Sequence, residues 1–252
     1  MCDNRFSLAG KNALVICPEN NWGPEVVQGL VNAGCKVFLA GPNEEAMKNI
    51  AGTVGFYVYD HSTKAQATAM AEAAKKALGR IDVMVENSLH TDVRGWNQSY
   101  AMIYEQLERT HLGMMLTMQA VGTVMAQQKS GSVIIMTETA ALSGYDVHNY
   151  KDAPEQFDAD FSLTKGFIYG GAINYTRQAA GFLGENGCRC NCLVCAPKGG
   201  EEAFTTAYLR HSHLKTPVTG ENIADAVCFL ASDAAAYITG VSLPVDGGYT
   251  AK

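Results

Sequence analysis

Asn12-Ala13-Leu14-Val15-Ile16-Cys17 is followed by a helix-like stretch at 24–33, and then by Lys36-Val37-Phe38-Leu39-Ala40. Pro24 sits where a helix tolerates it, in the first turn, and Gly34 ends the stretch. Neither apolar run alternates with polar residues. Strands of that kind are covered on both faces, as in a parallel sheet. The pattern continues outward with a short helix at 44–50, a third strand at 55–59, an Ala-rich helix at 64–78 stopped by Gly79, and a fourth strand at 81–85. A long helix is expected at 100–128, with Leu107, His111, Met114, Met115 and Met118 near helical spacing. A fifth strand at 132–137, a second long helix at 161–185, a sixth strand at 189–196, a helix at 221–230 and the short strand Ser242-Leu243-Pro244-Val245 complete the chain. Right-handed crossovers wind such a chain into one Rossmann-like, doubly wound α/β sheet with helices on both faces. It is read as a single domain over 1–252, with no linker or repeat.

The chain has 252 residues, 47% hydrophobic and 17% charged, with net charge −6. No basic run invites nucleic acid or an anionic membrane. No apolar run reaches the roughly 18 residues a membrane helix needs. The opening Met1-Cys2-Asp3-Asn4-Arg5-Phe6 lacks an apolar signal core, so a cytoplasmic protein is expected. Four of the eight cysteines crowd one stretch, Cys188, Cys190, Cys192 and Cys195. The first three fall on one face of a straight strand. Three such residues do not converge on a point, as a tetrahedral metal site demands, and no metal is expected.

The C-terminal part carries the most specific signal. Glu221-Asn222-Ile223-Ala224-Asp225-Ala226-Val227 leads to Phe229-Leu230-Ala231-Ser232-Asp233, then to Tyr237-Ile238-Thr239-Gly240 and Val245-Asp246-Gly247-Gly248. With Gly79-Arg80-Ile81-Asp82-Val83-Met84-Val85, Gly113, Ala120-Val121 and Cys195-Ala196-Pro197, this closely resembles the short-chain dehydrogenase/reductase family over nearly the whole chain. The resemblance implies a dinucleotide-binding half at 1–130 and a variable substrate loop at 198–218. Phe204, Tyr208, His211 and His213 would lie exposed or lid-like in that loop.

The departures fall at the sites the resemblance implies. Active members carry Thr-Gly-x-x-x-Gly-x-Gly after the first strand, where bare backbone approaches the pyrophosphate. Here the turn reads Ile16-Cys17-Pro18-Glu19-Asn20-Asn21-Trp22-Gly23, and only Gly23 survives. Cys17 and Asn21 put side chains where backbone must come close. Gly41-Pro42-Asn43 supplies neither the acid nor the base that holds the ribose at the end of the second strand. Glu86-Asn87-Ser88-Leu89 stands for Asn-Asn-Ala-Gly, with Leu89 filling space beside the adenosine. Asp60 is kept at the adenine-contacting position, although an Asp after a strand is also an ordinary turn residue. In the catalytic set, Lys165 remains, Phe161 takes the place of the proton-donating Tyr, Glu138 that of the carbonyl-polarising Ser, and Thr110 that of the relay Asn.

The resemblance therefore implies no catalytic residue and no cofactor in this chain. It is similar to the silent subunits of heteromeric short-chain dehydrogenases in anaerobic aromatic degradation. NAD would then sit in an active paralogous subunit acting on a CoA thioester. The two would pair through the long helices 100–128 and 161–185 in a heterotetramer, and Gly170-Gly171 would admit a close backbone or simply pack as helix. Two alternatives stay open: altered chemistry using Glu138, His111 and Lys165 around one pocket, and a ligand sensor without turnover.

Overall fold

The computed structural model describes residues 4–91, 93–152, 161–199 and 202–251. Seven parallel strands form one sheet: β1 (Asn12–Ile16), β2 (Lys36–Gly41), β3 (Gly55–Val58), β4 (Val83–Glu86), β5 (Gly131–Glu138), β6 (Cys188–Cys195) and β7 (Ser242–Val245). Their order is β3-β2-β1-β4-β5-β6-β7. The order reverses between β1 and β4, and the crevice at that switch point is where such sheets bind ligands.

Strand residues alternate between two cores. Leu14, Ile16, Phe38, Met84, Val133 and Ile135 pack toward α3 (Lys64–Leu78), α5 (Gly113–Gln128) and α6 (Lys165–Gly184). Ala13, Val15, Val37, Leu39, Val85 and Ile134 pack toward α1 (Gly23–Asn32) and α8 (Gly220–Ala231). Each large side chain so buried stabilises the fold by roughly 1.5–3 kcal/mol. Local signals set the ends. Pro24 lies in the first turn of α1. Thr63 caps α3 through the Gln66 amide, and Gly79 closes that helix at φ +84°. Thr219 and Asn222 form a reciprocal capping box on α8. The remaining helices are the short α2 (Glu44–Lys48), α4 (Tyr100–Leu107) and α7 (Glu202–His211).

Several expectations need correction. The long helix at 100–128 is continuous, with a π-helical turn at Glu108–Leu112 between its α-helical parts, α4 and α5. The second long helix begins at Lys165, not at Phe161. Phe161 and Ser162 instead pair with Gly95, whose amide donates to the Phe161 carbonyl at 2.7 Å. The substrate loop contains the regular helix α7, and Tyr208 on it is buried, not exposed. Cys188, Cys190 and Cys192 are buried apolar fillers on β6, and Cys195 lies buried in the opposite core. Among the described residues, no group of three metal-ligating side chains is found, and no helix is long and apolar enough to cross a membrane.

Candidate functional site

The first turn keeps its glycine-type path without the glycines. Cys17 and Asn21 both hold positive φ, +48° and +40°, a region that L-residues enter at a cost. Asn87 secures the turn, its Nδ2 donating to the carbonyls of Cys17 at 3.1 Å and Asn20 at 2.8 Å. The surviving Gly23 has a reason within the chain: a Cβ there would collide with the Pro18 carbonyl oxygen and approach Asn87 Nδ2 to 2.9 Å.

The side chains of the turn run into the crevice. Asn21 Nδ2 donates to Glu138 Oε1 at 3.2 Å, from the first turn to the end of β5. Glu138 Oε2 is 3.0 Å from Lys165 Nζ, and Tyr169 Oη donates more weakly to Oε1 at 3.4 Å. Both partners of the ion pair are largely buried, 12% and 23% exposed. Burial, and then the Glu138 charge, push the Tyr169 phenol well above its ordinary range. Trp22 is buried beside this network and donates through Nε1 to the Ala196 carbonyl at 2.9 Å. Lys198 lies over the indole, 5.2 Å from its ring centre, and pairs with Glu25. Asn21, Trp22, Asn87, Leu89 and Glu138 surround a remnant of only about 10 Å³, at the lower limit for one water.

At the end of β2, Gly41 supplies no side chain, yet a carboxylate is there. Glu19 reaches over from the first turn, with Oε2 3.1 Å from the point where a Cβ on Gly41 would stand. That oxygen is buried without a hydrogen-bond partner, and burial raises the Glu19 carboxyl above its usual range. Sequence reasoning missed this because the residue is 22 positions upstream in the chain, and only the fold brings it to Gly41. Asp60 is exposed and serves its own turn, accepting from the Ser62 amide at 3.0 Å. Deeper in, Cys17 Sγ lies 3.2 Å from His61 Nε2. Burial lowers His61 to about 4, and burial raises Glu86 to about 7.

The catalytic positions are only partly assembled. Because Phe161 precedes α6, it does not share a helical face with Lys165. Its ring meets Tyr145 edge-on at 5.4 Å and lies 6.1 Å from Trp96, and it has no proton to exchange. Thr110 sits in the π-helical turn with its hydroxyl donating to the Gln106 carbonyl at 2.7 Å. The expectation that His111 joins Glu138 and Lys165 does not hold. His111 packs on α6, 5.4 Å from Phe167, and its Nε2 would be 2.8 Å from a Cβ on Gly171. Gly171 thus admits the chain's own histidine, and Gly170 meets only the Ala141 carbonyl, at 3.8 Å. Burial lowers the His111 pKa.

A feature not expected from the sequence is the aromatic wall beside Lys165. Tyr145 stacks on Tyr150, and their hydroxyls are 2.6 Å apart. Tyr150 meets Phe204, which meets Tyr208, which stacks on Tyr249 at 4.3 Å. Together with Glu138 and Lys165 they line a half-open pocket of about 70 Å³. Residues 153–160, which follow Tyr145 and Tyr150 in the chain, lie outside the described residues.

Comparison with known proteins agrees with this architecture. A family model described as enoyl-(acyl carrier protein) reductase matches residues 19–250. The short chain dehydrogenase/reductase astE of Aspergillus oryzae is 30% identical, over 98% of this chain and 97% of that protein. The D-threitol dehydrogenase of Mycolicibacterium smegmatis is 27% identical, over 99% and 96%. A short-chain type dehydrogenase/reductase from Mycobacterium marinum superposes with a TM-score of 0.85 at 21% identity, covering 99% of this chain and 98% of that one. RhlG of Pseudomonas aeruginosa, solved as an NADP active-site complex, gives 0.84 at 22% identity, over 98% and 99%. The chain belongs to the short-chain dehydrogenase/reductase family, a family of oxidoreductases.

Proposed function

We propose that this chain is the non-catalytic subunit of a hetero-oligomeric, NAD-dependent short-chain alcohol dehydrogenase. An intact paralogue would hold the dinucleotide and transfer the hydride. The observation that carries this reading is the Asn21–Glu138–Lys165 network. It joins the first turn to Lys165 across the crevice where the family resemblance would place a nicotinamide. A diphosphate would also have to lie against the side chains of Cys17 and Asn21 in place of bare backbone. The exposed Tyr100, Tyr104 and Met115 on α4 and α5 and Phe167 and Phe182 on α6 support a subunit role. Large apolar residues grouped on one face mark interaction surfaces. Resemblance to heteromeric enzymes of anaerobic toluene degradation suggests 2-[hydroxy(phenyl)methyl]succinyl-CoA as the substrate of the assembly, in the cytoplasm and within a heterotetramer.

The test is co-expression with an intact relative encoded nearby, followed by one substitution in each subunit. The reading expects co-purification, loss of turnover when the partner's motif Tyr becomes Phe, and near-normal turnover for Lys165→Met here. Turnover lost with Lys165→Met, in an assembly that still forms, would refute it. A second reading, an enzyme of altered chemistry, draws on the four phenols beside Glu138 and Lys165. It expects Tyr145→Phe to abolish an activity of the isolated chain, and the subunit reading expects no activity to lose.

A further inference from the structure

Adjoining the Glu138–Lys165 pocket, with which it shares Pro197, Phe204 and Tyr208, lies a much larger space, a cavity of about 620 Å³ between α7, α8 and the end of β7. It falls within the roughly 300–1,000 Å³ typical of small-molecule sites. Pro197, Phe204, Leu209, Leu214, Val218 and Val245 form its apolar wall. None of the vestigial catalytic or nucleotide positions lines it. Its charged lining is acidic, Asp225 and Asp246, and no lysine, arginine or histidine lines it among the described residues. The Asp246 carboxylate is spent on its own turn, accepting from the amides of Gly248 and Thr250 and from the Thr250 hydroxyl. Lys215, the nearest cation in sequence, donates to the carbonyls of Leu209, Arg210 and Ser212. Asp225 is left exposed at the mouth, on the first turns of α8 beside Asn222. An apolar pocket with few polar groups and a carboxylate at its rim disfavours an anion and leaves one charge to be matched.

We propose that this cavity is a ligand site for a predominantly apolar small molecule bearing a protonated amine, with the apolar body against the α7 wall and the amine at Asp225. Carboxylates, phosphates and acyl-CoA esters are disfavoured. The site is separate from the filled crevice and does not depend on whether the chain is silent in catalysis. A bound molecule spans α7 and α8 and so holds down the helix that carries the Phe204–Tyr208 end of the aromatic wall.

Two probes with one fluorophore test it on the whole chain: dansylcadaverine, with a protonated amine, and dansylglycine, with a carboxylate. Saturable 1:1 binding of the amine with blue-shifted emission, at least tenfold tighter than the acid, is expected. Ala226→Trp and Thr205→Trp fill the cavity from opposite helices, and each should weaken amine binding at least tenfold. Asp225→Asn should bring the two probes within about threefold of each other. Absence of saturable binding by the native chain overturns the proposal. So does equal affinity for the two probes, or binding unchanged in a folded filled variant.

Discussion

Replacing Glu138 tests whether its carboxylate is a strut or a reacting group. At the 3.0 Å separation from Lys165, an effective dielectric near ~20 gives roughly 5 kcal/mol of attraction before desolvation. Most of this is offset, because both groups lose water in the folded state and Lys165, 23% exposed, regains water when its partner is removed. The Asn21 hydrogen bond adds about 1 kcal/mol, and the longer one from Tyr169 adds less. Glu138→Ala should therefore destabilise the chain by about 2 kcal/mol. Glu138→Gln leaves one acceptor oxygen, which can serve Asn21 or Lys165 but not both, so its cost should lie between about 1 kcal/mol and that of the alanine variant. A double-mutant cycle with Lys165→Met isolates the pair and should return about 1 kcal/mol of coupling. The assay is equilibrium urea unfolding at fixed protein concentration, with turnover of the assembled enzyme measured in parallel. Turnover should stay within about twofold of native, a barrier change of under ~0.5 kcal/mol. A Glu138→Ala cost close to zero would remove the strut. A turnover loss of tenfold or more would make Glu138 a reacting group.

The buried titratable groups give opposite pH dependences. Glu86 is raised from 4.5 to about 7, so the folded state keeps a proton the unfolded chain has released, and stability falls as pH rises across that window. His61 is lowered from 6.5 to about 4, so its contribution is present above 6.5 and is lost as pH falls toward 4. Each amounts to roughly 3 kcal/mol, and they largely cancel between 4.5 and 6.5. Glu86→Gln should therefore gain stability relative to the native chain as pH rises from 5 to 7.5, read from urea midpoints. A constant difference would contradict the assignment. Gly23→Ala forces a Cβ against the Pro18 carbonyl and Asn87. It should destabilise by about 1–3 kcal/mol although no ligand is present, seen as a lowered Tm, and an unchanged Tm would show that the turn relaxes freely.

Much of the sheet was legible because β1, β2, β4 and β5 carry short apolar runs at 13–16, 37–40, 83–85 and 133–136, and burial on both faces needs only that pattern. The catalytic departures were legible one residue at a time. What joins them was not. Asn21 and Glu138 are 117 positions apart, and no periodicity predicts a hydrogen bond across that distance. Glu19 at Gly41 is another contact made only by the fold. The start of α6 was misplaced because Phe161 to Lys165 has helical spacing, whereas pairing of 161–162 with Gly95 takes that backbone out of the helix. Tyr208 looked exposed because its loop is polar, and stacking on Tyr249 buries it. The turn holds a further lesson: Cys17 and Asn21 both hold positive φ, a conformation glycine enters freely, and the residue types alone did not announce it.

Calorimetric titration of the isolated, folded chain with NAD, and in a second run NADP, bears most directly on the filled crevice. No saturable heat up to millimolar nucleotide is the predicted result. A saturable isotherm with about one dinucleotide per chain would contradict it.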